Sequence, residues 1–202
     1  SKTLLIDHTT SSADIARRIS KNASVKDISF IDAPVSGGEQ GAINGQLTIM
    51  CGGPKVNFLR AQEIMQHYAR ASSLLGENGA GQLTKMANQM AVAGIVQGLA
   101  EAIHFSEQAG LDCTQVIDVI SKGAAQSWQM ENRSSTMIEG QYNHGFAVDL
   151  MRKDLGICLA EARLLGAKLP ITALIDQFYG DVQDMGGNRW DTSSLLERLR
   201  KK

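Results

Sequence analysis

The feature that most constrains this chain is a change of hydropathy period near residue 77. Before it, short apolar runs alternate with helical patterns; after it, apolar residues recur almost only at helical spacing. Such a chain joins an α/β portion to an all-helical one rather than forming a sandwich, barrel or single bundle. We expect the division to run 1–77 and 78–202.

In the first portion, Leu4 to Thr9 reads as a strand and Ser11 or Ser12 as the cap of a helix through Ile15, Ala16 and Ile19. Ile28 to Ala33 is the next strand, then a Gly-rich loop, then a strand from Gln46 to Cys51. Pro54 suits the first turn of a helix carrying Phe58, Leu59, Ile64 and Met65 toward a core, and Ser72–Leu75 is a last short strand. This is β-α-β with a hairpin-like addition. A doubly wound sheet has two such halves, and only the second is expected here.

The second portion opens with one long helix from Gly81 to Gly110. Ala87, Ala91, Gly94, Gly98 and Ala102 line it with small residues, which would let another helix approach. Asp112 with Gln115 resembles a capping box, and Val116, Ile117, Val119 and Ile120 give the next helix an apolar face. Helices are expected around Trp128 and Met130, from Ala147 to Leu165, and after Pro170. Asp191 or Thr192 caps a final one whose basic end, Arg198 to Lys202, suits the helix dipole.

Composition excludes several classes of partner. Twenty Lys+Arg against twenty-one Asp+Glu leave a net charge of -1, with no general attraction to nucleic acid or an anionic membrane. No run approaches the roughly 20 apolar residues of a membrane span, and no signal peptide pattern opens the chain. Cys51, Cys113 and Cys158 are few and far apart, as are the four histidines; neither a disulfide framework nor a metal site is expected. Idle thiols fit a reducing, cytoplasmic setting.

Three places carry candidate chemistry. Ser36-Gly37-Gly38 follows a strand's carboxyl end, where α/β sheets bind ligands, and consecutive glycines expose N–H groups as an anion nest; a plain tight loop reads equally well. Gly79-Ala80-Gly81-Gln82-Leu83-Thr84 imitates a dinucleotide fingerprint, but Thr84 replaces its third glycine. Lys85 follows in the first turn of the long helix, where the dipole disfavours an ammonium and so favours the neutral form that accepts a proton. Asn88 and Gln89, three and four residues on, share its face. Further along, Lys153 lies between Asp149 and Asp154, with Gly156 and Ala160 leaving room beside it and Phe146 upstream. A surface lysine and a surface ion pair are the plain alternatives for Lys85 and Lys153.

Together these segments resemble a known family. Asp32 to Gly53 (DAPVSGGEQGAINGQLTIMCGG) is similar to the substrate loop of the β-hydroxyacid dehydrogenases, Gly79 to Gln89 (GAGQLTKMANQ) to their catalytic segment, Gly145 to Leu155 (GFAVDLMRKDL) to their cofactor-side segment, and Ile6 to Thr10 (IDHTT) to a strand end of their nucleotide domain. The resemblance spans nearly the whole chain in family order. It implies the C-terminal half of a Rossmann-like sheet over 1–77, as part of a dinucleotide-binding domain. A helical substrate and oligomerisation domain like that of 6-phosphogluconate dehydrogenase would follow over 78–202.

It further implies hydride transfer between a small β-hydroxy acid and NAD or NADP, with Lys85 as general acid/base. Ser36, Gly37 and Gly38 would hold the substrate carboxylate and Asn88 and Gln89 its other oxygens. Thr10, Phe146 and Lys153 would border the cofactor, and the chain would form a homo-dimer or homo-tetramer. Two departures stand out. Gln89 occupies a position where the family usually has Asn, and the Gly-rich fingerprint and the residue separating NAD from NADP are not in this sequence. The chain is therefore read as the carboxyl-terminal part of such an enzyme, expected to bind dinucleotide weakly alone. The competing readings are a non-catalytic relative acting as an oligomerisation module, a sugar-phosphate enzyme, which would need a larger helical domain, and an unrelated helical interaction module.

Overall fold

The computed structural model describes residues 3–201; Ser1, Lys2 and Lys202, the last residue of the basic end, lie outside the described residues. Two compact units, 1–88 and 89–202, divide inside the long helix, between Asn88 and Gln89.

The first unit contains β1 (Leu4–Asp7), α1 (Ala13–Val25), β2 (Ser29–Asp32), β3 (Val35–Ser36), α2 (Gly38–Ile43), β4 (Leu47–Gly52), α3 (Lys55–Met65), β5 (Ala69–Gly76) and the first turns of α4 (Ala80–Gln108). β1 runs parallel to β2, and β4 parallel to β5; β2 and β3 meet β4 antiparallel, which is the hairpin-like addition. β1 stops at Asp7 rather than Thr9 because the Thr9 N–H turns back to donate to Asp7 Oδ1 at 3.0 Å. Ser12 is the cap of α1, its hydroxyl accepting from Ile15 N at 3.2 Å. The Gly-rich segment expected as a loop holds both β3 and the short α2.

Alternation along β2 sets the layers. Phe30 packs with Ala16 and Ala23 of α1, while Ile31 packs with Ile49, Cys51, Phe58, Ala61 and Met65. On α3 the buried face is Phe58, Ala61 and Met65, at spacings of three and four. Leu59 and Ile64, expected to face the core, lie off that stripe and are each 51% exposed.

The second unit is helical: the rest of α4, α5 (Cys113–Ile120), α6 (Trp128–Ile138), α7 (Val148–Leu165), α8 (Pro170–Asp184), a 3₁₀ turn (Thr192–Ser194) and α9 (Leu195–Arg200). Its core gathers Val96, Leu99 and Ile103 with Met137, Met151, Leu155, Ile175 and Tyr179. Asp112 caps α5 by accepting from Gln115 N at 3.1 Å; the Gln115 amide donates back to Asp112 Oδ2 at 3.0 Å instead of accepting from its backbone. On α5 only Ile117 is buried, and Val119 points outward. The small residues of α4 also differ from expectation. Ala87, Ala91 and Gly98 are exposed, and a Cβ on Gly94 or Gly98 would meet nothing within 4 Å, so the helix's large apolar residues fill the core from the other face.

The basic end is used within the unit. Arg198 donates to Asp181 at 2.6 Å and stacks 3.7 Å over the Phe178 ring, while Arg200 pairs with Glu107 and Glu197. Among the described residues no helix is long and apolar enough to cross a membrane.

Candidate active site

In the first unit the site is organised by Asp32, at the carboxyl end of β2. This fully buried carboxylate accepts from Gly79 N at 2.8 Å, Gln82 N at 3.2 Å and the Asn78 side chain at 3.3 Å. It answers the unpaired N–H groups that open α4. The close approach demands glycine: a Cβ on Gly81 would lie 2.5 Å from the Met50 carbonyl oxygen and 2.7 Å from that of Asp32. Asp32 also acts on Cys51, whose thiol is pushed up to about 12, first by burial and then by the carboxylate's charge.

α4 begins at Ala80, so Lys85 stands in its second turn, not its first as expected, and a carboxylate already sits at the helix terminus. Lys85 is nonetheless only 7% exposed, and Asn88 beyond it is half-buried. Thr84, in the place of a third fingerprint glycine, is half-buried and donates its hydroxyl to Ala80 O at 2.8 Å.

The other predicted residues of this unit lie at strand ends. Thr10 is half-buried in the loop after β1, and Ser36 ends β3. Gly37 and Gly38 follow, both exposed, with φ of +126° and +61°, the backbone region that glycine tolerates. Sequence reasoning missed Asp32 and Gln82 here. An acid at a strand end ahead of a Gly-rich helix start was the available signal for Asp32; Gln82 had none.

In the second unit, Gln89 is buried and donates from Nε2 to Asp154 Oδ2 at 2.7 Å. Lys153 Nζ lies 3.0 Å from Asp154 Oδ1. The structure thus brings Gln89 and Lys153 to one buried carboxylate, while Asp149, the other acid weighed for Lys153, accepts from Gln183 and Asn188. Phe146 is positioned separately. Its N–H donates to Asp191 Oδ2 at 2.8 Å, and Asp191, itself buried, pairs with Arg133 at 3.3 Å and accepts from Ser193 N and Oγ. The sequence offers Asp154 only as a neighbour of Lys153 and Asp191 only as a cap, and Asp191 does cap the 3₁₀ turn. Their burial and their contacts with Gln89 and Phe146 carry no sequence signal.

Residues 1–79 match the family described as the NAD binding domain of 6-phosphogluconate dehydrogenase, and residues 79–199 the one described as NAD-binding of NADP-dependent 3-hydroxyisobutyrate dehydrogenase. An uncharacterized oxidoreductase of Shewanella frigidimarina is 61% identical over 198 residues, covering 98% of this chain and 68% of the relative. The chain belongs to the β-hydroxyacid dehydrogenase family. Other β-hydroxyacid dehydrogenase relatives carry defined names. The 2-hydroxy-3-oxopropionate reductase of Escherichia coli is 37% identical, over 84% of this chain and 58% of that protein. The solved structure of Mycobacterium tuberculosis 3-hydroxyisobutyrate dehydrogenase with L-serine superposes with a TM-score of 0.89 at 29% identity, covering 98% of this chain and 70% of that one. Membership of the β-hydroxyacid dehydrogenases makes this an NAD(P)-linked oxidoreductase chain, spanning between about three fifths and seven tenths of these three proteins.

Proposed function

We propose that this chain exchanges a hydride between a small β-hydroxy carboxylate and NAD or NADP, with Lys85 as the proton-transfer residue. The observation that carries the reading is the burial of Lys85 in the second turn of α4, after a helix start held at the carboxyl edge of β2. Lysine is among the residues least often buried, and ligands of α/β sheets bind at that edge. The loop after the parallel strand β1 carries a half-buried threonine, Thr10, at the same sheet edge, which supports its reading as a cofactor-side residue.

When bound, the nicotinamide supplies the two-electron acceptor for the hydride leaving the hydroxyl-bearing carbon. Lys85 Nζ takes the hydroxyl proton as the carbonyl forms and returns it in the reverse direction. Ser36 and the N–H groups of Gly37 and Gly38 hold the substrate carboxylate, and the amides of Asn88 and Gln89 orient its remaining oxygens. Thr10, Phe146 and Lys153 border the cofactor. In this reading residues 1–77 are the dinucleotide-binding part, which also supplies the Ser36–Gly38 carboxylate nest. Residues 78–202, which also supply Phe146 and Lys153, are the part for the substrate and for self-association as a dimer or tetramer. Exposed Ile95 and Phe105 on α4 support the last point, and light scattering checks it.

The test is turnover of 3-hydroxyisobutyrate, serine, glycerate and 2-hydroxy-3-oxopropionate with each cofactor at saturating concentration, because this chain alone is expected to bind dinucleotide weakly. Lys85→Ala is expected to lower kcat by at least about a hundredfold, the scale of a general base. Activity of the variant within a few fold of the native protein would refute the role.

A further inference from the structure

The side chain of Gln82 is fully buried, yet it lies only three residues before Lys85 and contributes nothing to the apolar clusters. Its amide faces the loop after β1. Oε1 accepts from Ser11 N at 2.9 Å, and Nε2 donates to Thr9 O at 2.7 Å. One backbone donor and one backbone acceptor leave a single orientation for the amide. The pair of bonds imitates a peptide-to-peptide bridge and brackets Thr10, the residue between its two partners.

The other end of Gln82 is equally constrained. Its own N–H donates to Asp32 Oδ2, in a helix start wedged against Met50 and Asp32 by Gly81. Between this anchored backbone and Lys85 lies less than one helical turn, about 4.5 Å of rise. The loop has a second tether on its β1 side, where Thr9 N donates to Asp7. A single amide therefore ties the placement of Thr10 to the placement of Lys85.

We propose that Gln82 is a positioning residue for hydride transfer: its amide fixes the Thr10 loop, on the cofactor side, relative to the proton-transfer lysine. This rests on the reading of Lys85 and Thr10 given above. Gln82 touches neither substrate nor cofactor; it acts through the loop and the helix. Misplacement of reacting partners by about 1 Å is enough to cost about a hundredfold in rate, so a modest shift of the loop is measurable.

Gln82→Glu tests this, because the variant carries its own control. Protonated, the carboxyl reproduces both hydrogen bonds, donating to Thr9 O and accepting from Ser11 N. Ionised, it has no proton for Thr9 O and places an unpaired charge at a fully buried position. Each measurement is the ratio of variant to native protein at the same pH. At about pH 9, amide hydrogen exchange over residues 9–12 should be at least about tenfold faster in the variant, and kcat at least about tenfold lower, with KM for the hydroxy acid within about threefold. Both ratios should return toward one as pH falls to about 6.

An active native protein whose variant shows a kcat ratio independent of pH, or unchanged exchange over residues 9–12, overturns the positioning role and leaves the function standing. A native protein without turnover, or one indifferent to Lys85→Ala, overturns the function and this role together. Should Q82E fail to fold, Gln82→Met, close in shape and without either bond, must show the same kcat loss and faster exchange at every pH; native values in it overturn the proposal.

Discussion

Gln89 Nε2 donates to Asp154 Oδ2 at 2.7 Å, joining α4 to α7 through two buried side chains. The Gln89 amide, one methylene further from the backbone than that of an Asn, reaches this carboxylate. Gln89→Asn should therefore break the bond and leave Asp154 Oδ2 buried without that donor, at a cost of about 1–3 kcal/mol. Urea denaturation reads the loss; a midpoint equal to the native one would show that the amide's length is irrelevant.

Glycine is required at some positions and incidental at others. At Gly145, φ is +71° and a Cβ would run into the Asp191 carboxylate that holds Phe146. Gly145→Ala should destabilise by more than about 2 kcal/mol. Gly94 is helical and has open space around it, so Gly94→Ala should stabilise by about 0.5–1 kcal/mol. Thermal melts of the two variants should move in opposite directions.

Arg200 ties α9 to Glu107 on α4, to Glu197, and to the carbonyls of Met137 and Ile138 at the end of α6. A planar fork serves these acceptors at once, whereas an ammonium on a flexible stem does not. Arg200→Lys should thus cost about 2 kcal/mol despite keeping the charge. Chemical denaturation checks this, and a loss below a few tenths of a kcal/mol would count against the shared anchor.

Burial pushes the Cys51 thiol up to about 12 and the Cys158 thiol up to about 11, from an ordinary 9.0. Above the ordinary value the unfolded chain releases these protons while the folded one keeps them. Stability from the two thiols is therefore fully present below about pH 9 and is lost as pH rises through the raised values. The urea midpoint should fall on alkaline titration, and Cys51→Ala with Cys158→Ala should flatten that fall. In the native protein at about pH 8, a thiol reagent should modify the half-buried Cys113 first.

Much of this was legible in the chain itself. Hydropathy period separated the α/β portion from the helical one, because burial of one face imposes a period of two on strands and of about 3.6 on helices. Caps such as Ser12 and Asp112 were readable because they act within three residues. Lys85, Ser36, Gly37, Gly38, Thr10 and Lys153 were nameable as motif residues. Which apolar residues of α3 and α5 face inward was not, since Leu59 and Val119 fit an apolar helix as well as Phe58 and Ile117 do.

Local order, then, was determined by the sequence: element types, caps, and the residues with chemistry to offer. The tertiary structure decided how those residues are held. Asp32 meets α4 across 47 residues, Gln82 meets the Thr10 loop across 71 and 73, Gln89 meets Asp154 across 65, and Phe146 meets Asp191 across 45. Each is a buried or half-buried polar contact, and each takes its partner from a distant element. Burial makes the pairing obligatory, because an unpaired polar group in the interior is costly, but only the folded chain brings the partner within reach.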